Sequence, residues 1–275
     1  MSGLLDEMRQ SSAERVRQAM RRESPAELEQ RARCTPAAPP LELSSSGFDV
    51  IAELKLRSPA AGVLKDSAHD WRARVAAYAR AGAAAVSVLT EPTRFDGSLE
   101  HLVETARVLA PLGVPAMRKD FLVDPYQVLE ARAAGAGGVL VIVRMLSRAG
   151  AEALLDAAAD QGLFVLLEAF DAADLAEARL LLDRRGSRKG LVLIGINCRD
   201  LTSLQVEPRR FAELAPALPE GAAAVAESAV ATAADAAAMR RLGYRAALIG
   251  TALMTRDDPT ALLAEILSAA RTVQP

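Results

Sequence analysis

The chain has 275 residues, 51% hydrophobic but only 4% aromatic, and its 33 Lys+Arg against 35 Asp+Glu leave a net charge of −2. That length fits one large α/β barrel with an aliphatic, alanine-rich core, and the charge balance gives no electrostatic footprint for nucleic acid. Two cysteines (Cys34, Cys198) and two histidines (His69, His101) are too few for a disulfide framework or a histidine-rich metal centre, and they disfavour a Ser-His-Asp triad.

The N-terminal MSGLLDEMRQ carries acid early and lacks the apolar stretch of a signal peptide. No apolar run reaches the roughly 18 residues of a membrane helix. These features predict a soluble, cytoplasmic protein with no membrane partner. Residues 1–33 read as helices, because Leu4, Leu5, Met8, Val16 and Met20 lie on a loose helical stripe among charges. Ser24-Pro25 reads as the cap and first residue of a second helix. The prolines of CTPAAPP (34–40) then end helical structure. The chain therefore divides into an N-terminal helical arm, 1–48, packed on a catalytic domain, 49–275.

From residue 49 short apolar runs alternate with alanine-rich amphipathic stretches. The runs are 49–55, 84–90, 114–120, 138–143, 163–169, 191–197, 223–228 and 246–250. Helical segments fall between them, including 70–81, 125–134, 148–160, 171–184 and 231–242. The runs are apolar without strict alternation, as parallel strands buried on both faces are. Gly82, Gly113, Gly137, Gly162, Gly190, Gly221 and Gly243 precede seven of the runs as helix-ending residues. Eight even β-α units, none followed by GxGxxG, predict a TIM (β/α)8 barrel with an N-terminal helical extension rather than a doubly wound sheet.

The C-terminal strand ends of such a barrel carry its chemistry. Glu53 and Lys55 are two apart on the first strand and project to one face. Lys119 ends the third strand and Glu168 the fifth, where an apolar setting can raise a carboxyl pKa and suit it to proton transfer. Arg144 ends the fourth strand. Asn197, Cys198 and Arg199 follow the sixth, and Glu227 and Ser228 end the seventh. Only four of the 33 basic residues are lysine (Lys55, Lys65, Lys119, Lys189), and two of these stand at strand ends, which points to a need for an amine. ESAV (227–230) and IGTAL (249–253), with Arg199 nearby, read as an anion site at the last two strands. Cys198 has no neighbouring histidine to activate it.

These motifs carry a resemblance. IAELKLRSPAAG, SVLTEPTRFDGS, MRKDFLVDPYQVLEARAAGA, LLEAF, IGINCRDL, VAES and LIGTALM are similar in order and spacing to the signatures of the indole-3-glycerol-phosphate synthase family. The resemblance implies a lyase of tryptophan biosynthesis. Its reaction converts 1-(2-carboxyphenylamino)-1-deoxyribulose 5-phosphate to indole-3-glycerol phosphate, carbon dioxide and water, without metal or organic cofactor. It implies Lys119 as general acid in ring closure. Lys55, paired with Glu53, would hold the substrate carboxylate or serve as acid in dehydration, and Glu168 would be the base or a proton relay. Asn197 and Glu227 would orient substrate and lysines. Arg199, Ser228, Ala229, Gly250 and Thr251 would hold the phosphate. Phe95, Phe121 and Leu201 would wall the aromatic ring, with Ser58 and Pro59 at the lip. Other tryptophan-pathway enzymes are the macromolecular partners it suggests.

The chain departs from the family pattern at three places. SPAAG stands for SPSKG, so Ala61 replaces a lysine; EAF stands for EVH, so Phe170 replaces a histidine; ESA stands for ESG, so Ala229 replaces a glycine. The proton carriers all remain. The alternative reading is a phosphate-binding barrel of altered substrate or no activity. At Ala229 the expectation is a negative φ, since alanine adopts a positive one only at a cost of roughly 1–2 kcal/mol.

Overall fold

Eight parallel strands close on themselves, each hydrogen-bonded to its neighbours in sequence, and the last pairs with the first. The computed structural model describes residues 3–45, 47–58, 62–63, 70–185, 190–200 and 203–273. The strands are β1 (Asp49–Leu54), β2 (Ala85–Leu89), β3 (Ala116–Lys119), β4 (Gly138–Ile142), β5 (Phe164–Ala169), β6 (Val192–Asn197), β7 (Ala224–Glu227) and β8 (Ala246–Ile249). All eight lie within the expected runs. Pro59, Ala61, Lys65, His69, Lys189 and Leu201 fall outside the described residues.

Twelve helices are described: α1 (Leu4–Arg22), α2 (Pro25–Cys34), α3 (Trp71–Arg80), α4 (Pro92–Phe95), α5 (Leu99–Leu109), α6 (Pro125–Ala133), α7 (Arg148–Asp160), α8 (Ala172–Arg185), α9 (Arg209–Leu214), α10 (Ala233–Arg241), α11 (Thr251–Met254) and α12 (Thr260–Arg271). None among the described residues is long and apolar enough to cross a membrane. Ser24 caps α2 as the sequence suggests, in a reciprocal box. Its hydroxyl accepts from the Glu27 amide, and the Glu27 carboxylate accepts from the Ser24 amide.

Both strand faces are buried, and their residues sort by parity. Val50, Ala52 and Leu54 of β1 join the layer between strands and helices. Ile51 instead meets Met117, Leu140, Leu166, Val225 and Leu248 in the cluster that fills the barrel. The same parity carries Glu53 and Lys119 to the mouth above that filling.

Two glycines depart from the sequence reading or extend it. Gly137 was expected to end a helix in the left-handed region. That conformation is taken by Gly135, with φ 82°, directly after α6. Gly137 instead sits where a Cβ would press on Pro115. Gly138 faces the Phe164 ring across the barrel floor, with no room for a Cβ. Overpacking a core costs about 1–3 kcal/mol. Gly138→Ala is therefore expected to lower Tm by several degrees. Combined with Phe164→Leu, which frees that space, the two losses should be less than additive. Thermal and urea unfolding of the three variants checks this.

Candidate active site

The C-terminal strand ends surround a cavity of about 320 Å³ lined by Glu53, Lys55, Lys119, Glu168, Asn197 and Glu227. Phe95, Phe121, Leu89, Leu140 and Ile142 form an apolar wall on one side. Arg199 and the segments Ser228–Ala231 and Gly250–Ala252 also border it. The charged groups expected at the mouth are thus brought together. Ser58 lies in a two-residue strand after β1, paired with Gly62.

Lys119 is the centre of the group. Its Nζ stands 3.8 Å from Glu53 Oε1, 4.0 Å from Glu168 Oε2 and 3.9 Å from Glu227 Oε2. Burial pushes its pKa down, but the charges of Glu168, Glu53 and Glu227 outweigh burial and hold it above the ordinary lysine range. Lys55 Nζ pairs with Glu53 Oε2 at 2.9 Å. Burial raises the Glu53 carboxyl, yet Lys55 and Lys119 prevail and leave it lowered.

Glu168 is buried rather than solvated at its strand end. Its Oε1 accepts from Asn197 Nδ2 at 3.0 Å. Asn197 Oδ1 in turn accepts from the Arg199 amide at 2.9 Å and from Ser228 Oγ at 2.8 Å. One amide side chain therefore orients a carboxylate, the loop after β6 and the loop after β7.

Burial lifts the Glu227 carboxyl. Desolvation comes first, and repulsion from Glu168 and Glu53 adds to it, so Glu227 stands well above the usual carboxylate range despite Lys119. Neither of its oxygens has a hydrogen-bond partner among the described residues. Gly195 on β6 makes room for this side chain, since a Cβ there would overlap Glu227 Oε1. Gly250 does the same for Glu53 Oε2. The sequence reading gave Gly250 a phosphate contact and missed this steric reason.

The remaining expectations resolve simply. Phe95 and Phe121 pack with ring centroids 6.2 Å apart. Ala229 is not among the residues of positive φ; the left-handed residue is Ser228, with φ 81°. Thr251 begins α11, the short helix after β8. Arg144 turns away to Asp171 and Asp174, and its guanidinium lies 4.7 Å over the Phe170 ring. Cys198 is buried, donates to the Glu227 carbonyl, and has its thiol pushed up to about 11 by burial, which suits no nucleophile. Among the described residues no group of His, Cys, Asp or Glu is arranged to hold a metal ion. The reading also missed Asp120, Ser12 and Arg15. The signal for Asp120 was the length of RKDF-x-x-DPYQ, which exceeds what one proton donor requires, whereas Ser12 and Arg15 carried none.

Glu227 makes stability depend on pH. A carboxyl raised in the folded state contributes fully below its unfolded pKa near 4.5 and loses that contribution as pH rises towards its folded value. Glu227→Gln removes the titration. The variant is expected to gain stability relative to wild type as pH rises from about 4 to 8, with the gap smallest at the acid end. Urea unfolding at several pH values measures the gap, and a flat difference would remove the raised carboxyl.

The chain matches the profile of indole-3-glycerol phosphate synthase over residues 5–266. An indole-3-glycerol phosphate synthase of Parafrankia sp. is 42% identical over 82% of this chain and 80% of its own. That of Saccharopolyspora erythraea is 41% identical over 88% of this chain and 87% of its own. Among solved structures, 3-hexulose-6-phosphate synthase from Salmonella typhimurium superposes with TM-score 0.62 at 13% identity, over 82% of this chain and 99% of that one, a likeness of fold alone. Across nearly its whole length, this chain belongs to the indole-3-glycerol phosphate synthase family.

Proposed function

We infer that the mouth residues carry out ring closure, decarboxylation and dehydration of 1-(2-carboxyphenylamino)-1-deoxyribulose 5-phosphate. The observation that carries this is the Lys119 ammonium, held 3.8 to 4.0 Å from three buried carboxylates beside an aromatic wall. The ring carbon bearing the carboxylate attacks the ribulose carbonyl, and Lys119 gives its proton to the oxygen as the new bond forms. Loss of carbon dioxide returns the electron pair to the ring. The hydroxyl then leaves as water, taking a proton from an ammonium, while Glu168 removes the proton whose loss completes the indole.

Lys55, held by Glu53, suits the substrate carboxylate or the second proton donation. Asn197 orients Glu168, and the Glu227 carboxyl, its pKa raised by burial, suits a hydrogen bond to a substrate hydroxyl. Phe95 and Phe121 suit the aryl ring, with Ser58, Pro59 and Leu201 assigned to the lip and wall by family resemblance. Arg199, Ser228, Ala229, Gly250 and Thr251 suit the phosphate, at the loops where this fold commonly binds one.

Incubation of the protein with this substrate is expected to produce indole fluorescence, and no product at any pH from 6 to 9 would overturn the reading. Lys119→Arg keeps a positive charge but replaces the donor. It is expected to lower kcat by on the order of 10²–10⁴ with the fold intact by circular dichroism. Retention of more than about a third of wild-type kcat would remove Lys119 from the acid role.

The Ala229 position gives an independent check. Since the left-handed residue is Ser228, alanine at 229 keeps its amide available. Ala229→Gly is therefore expected to lower KM no more than about threefold, within the scale of one neutral hydrogen bond. A tenfold gain in steady-state kinetics would show that the alanine obstructs the phosphate.

A further inference from the structure

Most of the RKDF-x-x-DPYQ motif is left over once Lys119 and Phe121 have been given their work, and the remainder forms one polar network with α1. Asp120 is 2% exposed and accepts from five donors. Its Oδ1 takes Arg15 Nη2 at 2.7 Å and its neighbour's amide, Phe121 N, at 2.8 Å. Its Oδ2 takes Arg15 Nη1 at 2.9 Å, Thr90 Oγ1 at 2.8 Å and Arg118 Nη2 at 3.1 Å. A two-pronged arginine–carboxylate pair fixes orientation as well as distance.

The backbone beyond is tied with equal completeness. Ser12 Oγ donates to the Phe121 carbonyl at 2.5 Å and accepts from Gln127 Nε2 at 2.9 Å. Gln127 Oε1 accepts from the Val123 amide at 2.8 Å. Arg118, whose side chain points away from the mouth, holds the Gln127 carbonyl at 2.8 Å and Glu130 at 2.9 Å. The Asp120 side chain, both polar groups of the Phe121 backbone and the Val123 amide are thus all committed. Met8 of α1 packs in the same apolar cluster as Phe121. Lys119 and Phe121 flank the residue Arg15 grips, so neither can shift without breaking bonds that come from α1.

We propose that Arg15 and Ser12 are positioning residues, which through Asp120 and the Phe121 carbonyl set where the Lys119 ammonium and the Phe121 ring stand at the mouth. The proposal rests on the functional reading above. Its energetic reason is that Lys119 keeps about equal distances to three carboxylates, and a displacement of about 1 Å is enough to cost on the order of 10² in rate. A tie that only stabilised the fold would change Tm and leave the turnover of folded protein alone.

The experiment compares Arg15→Met, Arg15→Lys and Ser12→Ala with wild type, by steady-state kinetics on folded protein and by hydrogen exchange. Arg15→Met is expected to lower kcat at least tenfold while KM stays within threefold, and Arg15→Lys to recover at least threefold of the loss. Exchange should rise in 119–124 and not in β6 on another side of the barrel. A kcat within twofold of wild type in folded Arg15→Met, whatever its Tm, overturns the proposal. So does unchanged exchange in 119–124, a readout that stands even if wild type fails to turn over the substrate and the functional reading falls. Should Arg15→Met not fold, Ser12→Ala decides by the same two measurements, with a threefold loss of kcat expected and none overturning the inference.

Discussion

One ammonium group held among three buried carboxylates governs this molecule. Removing ions from water costs several kcal/mol apiece, and the cost is recovered only where attraction and geometry are both good. Lys119 meets Glu53, Glu168 and Glu227 at nearly equal distances and touches none at hydrogen-bond range. Its proton is therefore held by their field without being committed to a single acceptor. Burial and repulsion from Glu168 and Glu53 raise the pKa of the Glu227 carboxyl despite Lys119. The choice of lysine follows from shape. A guanidinium is planar with five fixed donors and would seize one carboxylate side-on, whereas an ammonium acts as a point charge on a flexible stem. A chain that uses arginine for nearly every cation keeps lysine here.

The barrel beneath exists to make that arrangement tolerable. Strand parity sends one residue in two to the interior, and the lower interior positions are apolar, Phe164 among them, so the mouth rests on an apolar floor. Space is then cleared for the ions by leaving side chains out. Gly195 admits Glu227, and Gly250 admits Glu53 with Lys55 close behind. These glycines are required for volume, not for backbone conformation, since neither has a positive φ.

The fold was legible because buried parallel strands leave unbroken apolar runs, and the runs at 163–169 and 191–197 bracket β5 and β6 within a residue. The mouth was legible for the same reason, since a charge closing such a run can go only upward. What the sequence concealed were relations across long separations. Arg15 and Asp120 lie 105 residues apart, and nothing in the helical stripe of α1 distinguishes Arg15 from the other arginines around it. The hydrogen-bond partners of the carboxyls were hidden too. Glu168 and Glu227 both follow apolar runs, but only the folded packing shows that Asn197 supplies one with a donor and leaves the other with none. At Gly137 the glycine-rich stretch misled by two residues, because α6 ends at Ala133 and Gly135 takes the turn.

In the loop after β7 the departure from family pattern at Ala229 falls beside the strained position and not on it. A non-glycine residue in the left-handed region costs roughly 1–2 kcal/mol, and the chain bears that cost at Ser228, where φ is 81°. The serine gains a hydrogen bond in return, from its hydroxyl to Asn197 Oδ1, worth about 1 kcal/mol in net stability. Since the strained position precedes residue 229, alanine there meets no such demand. The same bond joins two parts of the proposed chemistry. Asn197 holds Glu168 with its amide nitrogen and Ser228 with its oxygen, so the loop assigned to the phosphate and the carboxylate assigned as base cannot reorient independently. A phosphate drawing on the loop after β7 would pull on the residue that aims Glu168, and on the proposed roles this would couple the grip on one end of the substrate to proton removal at the other.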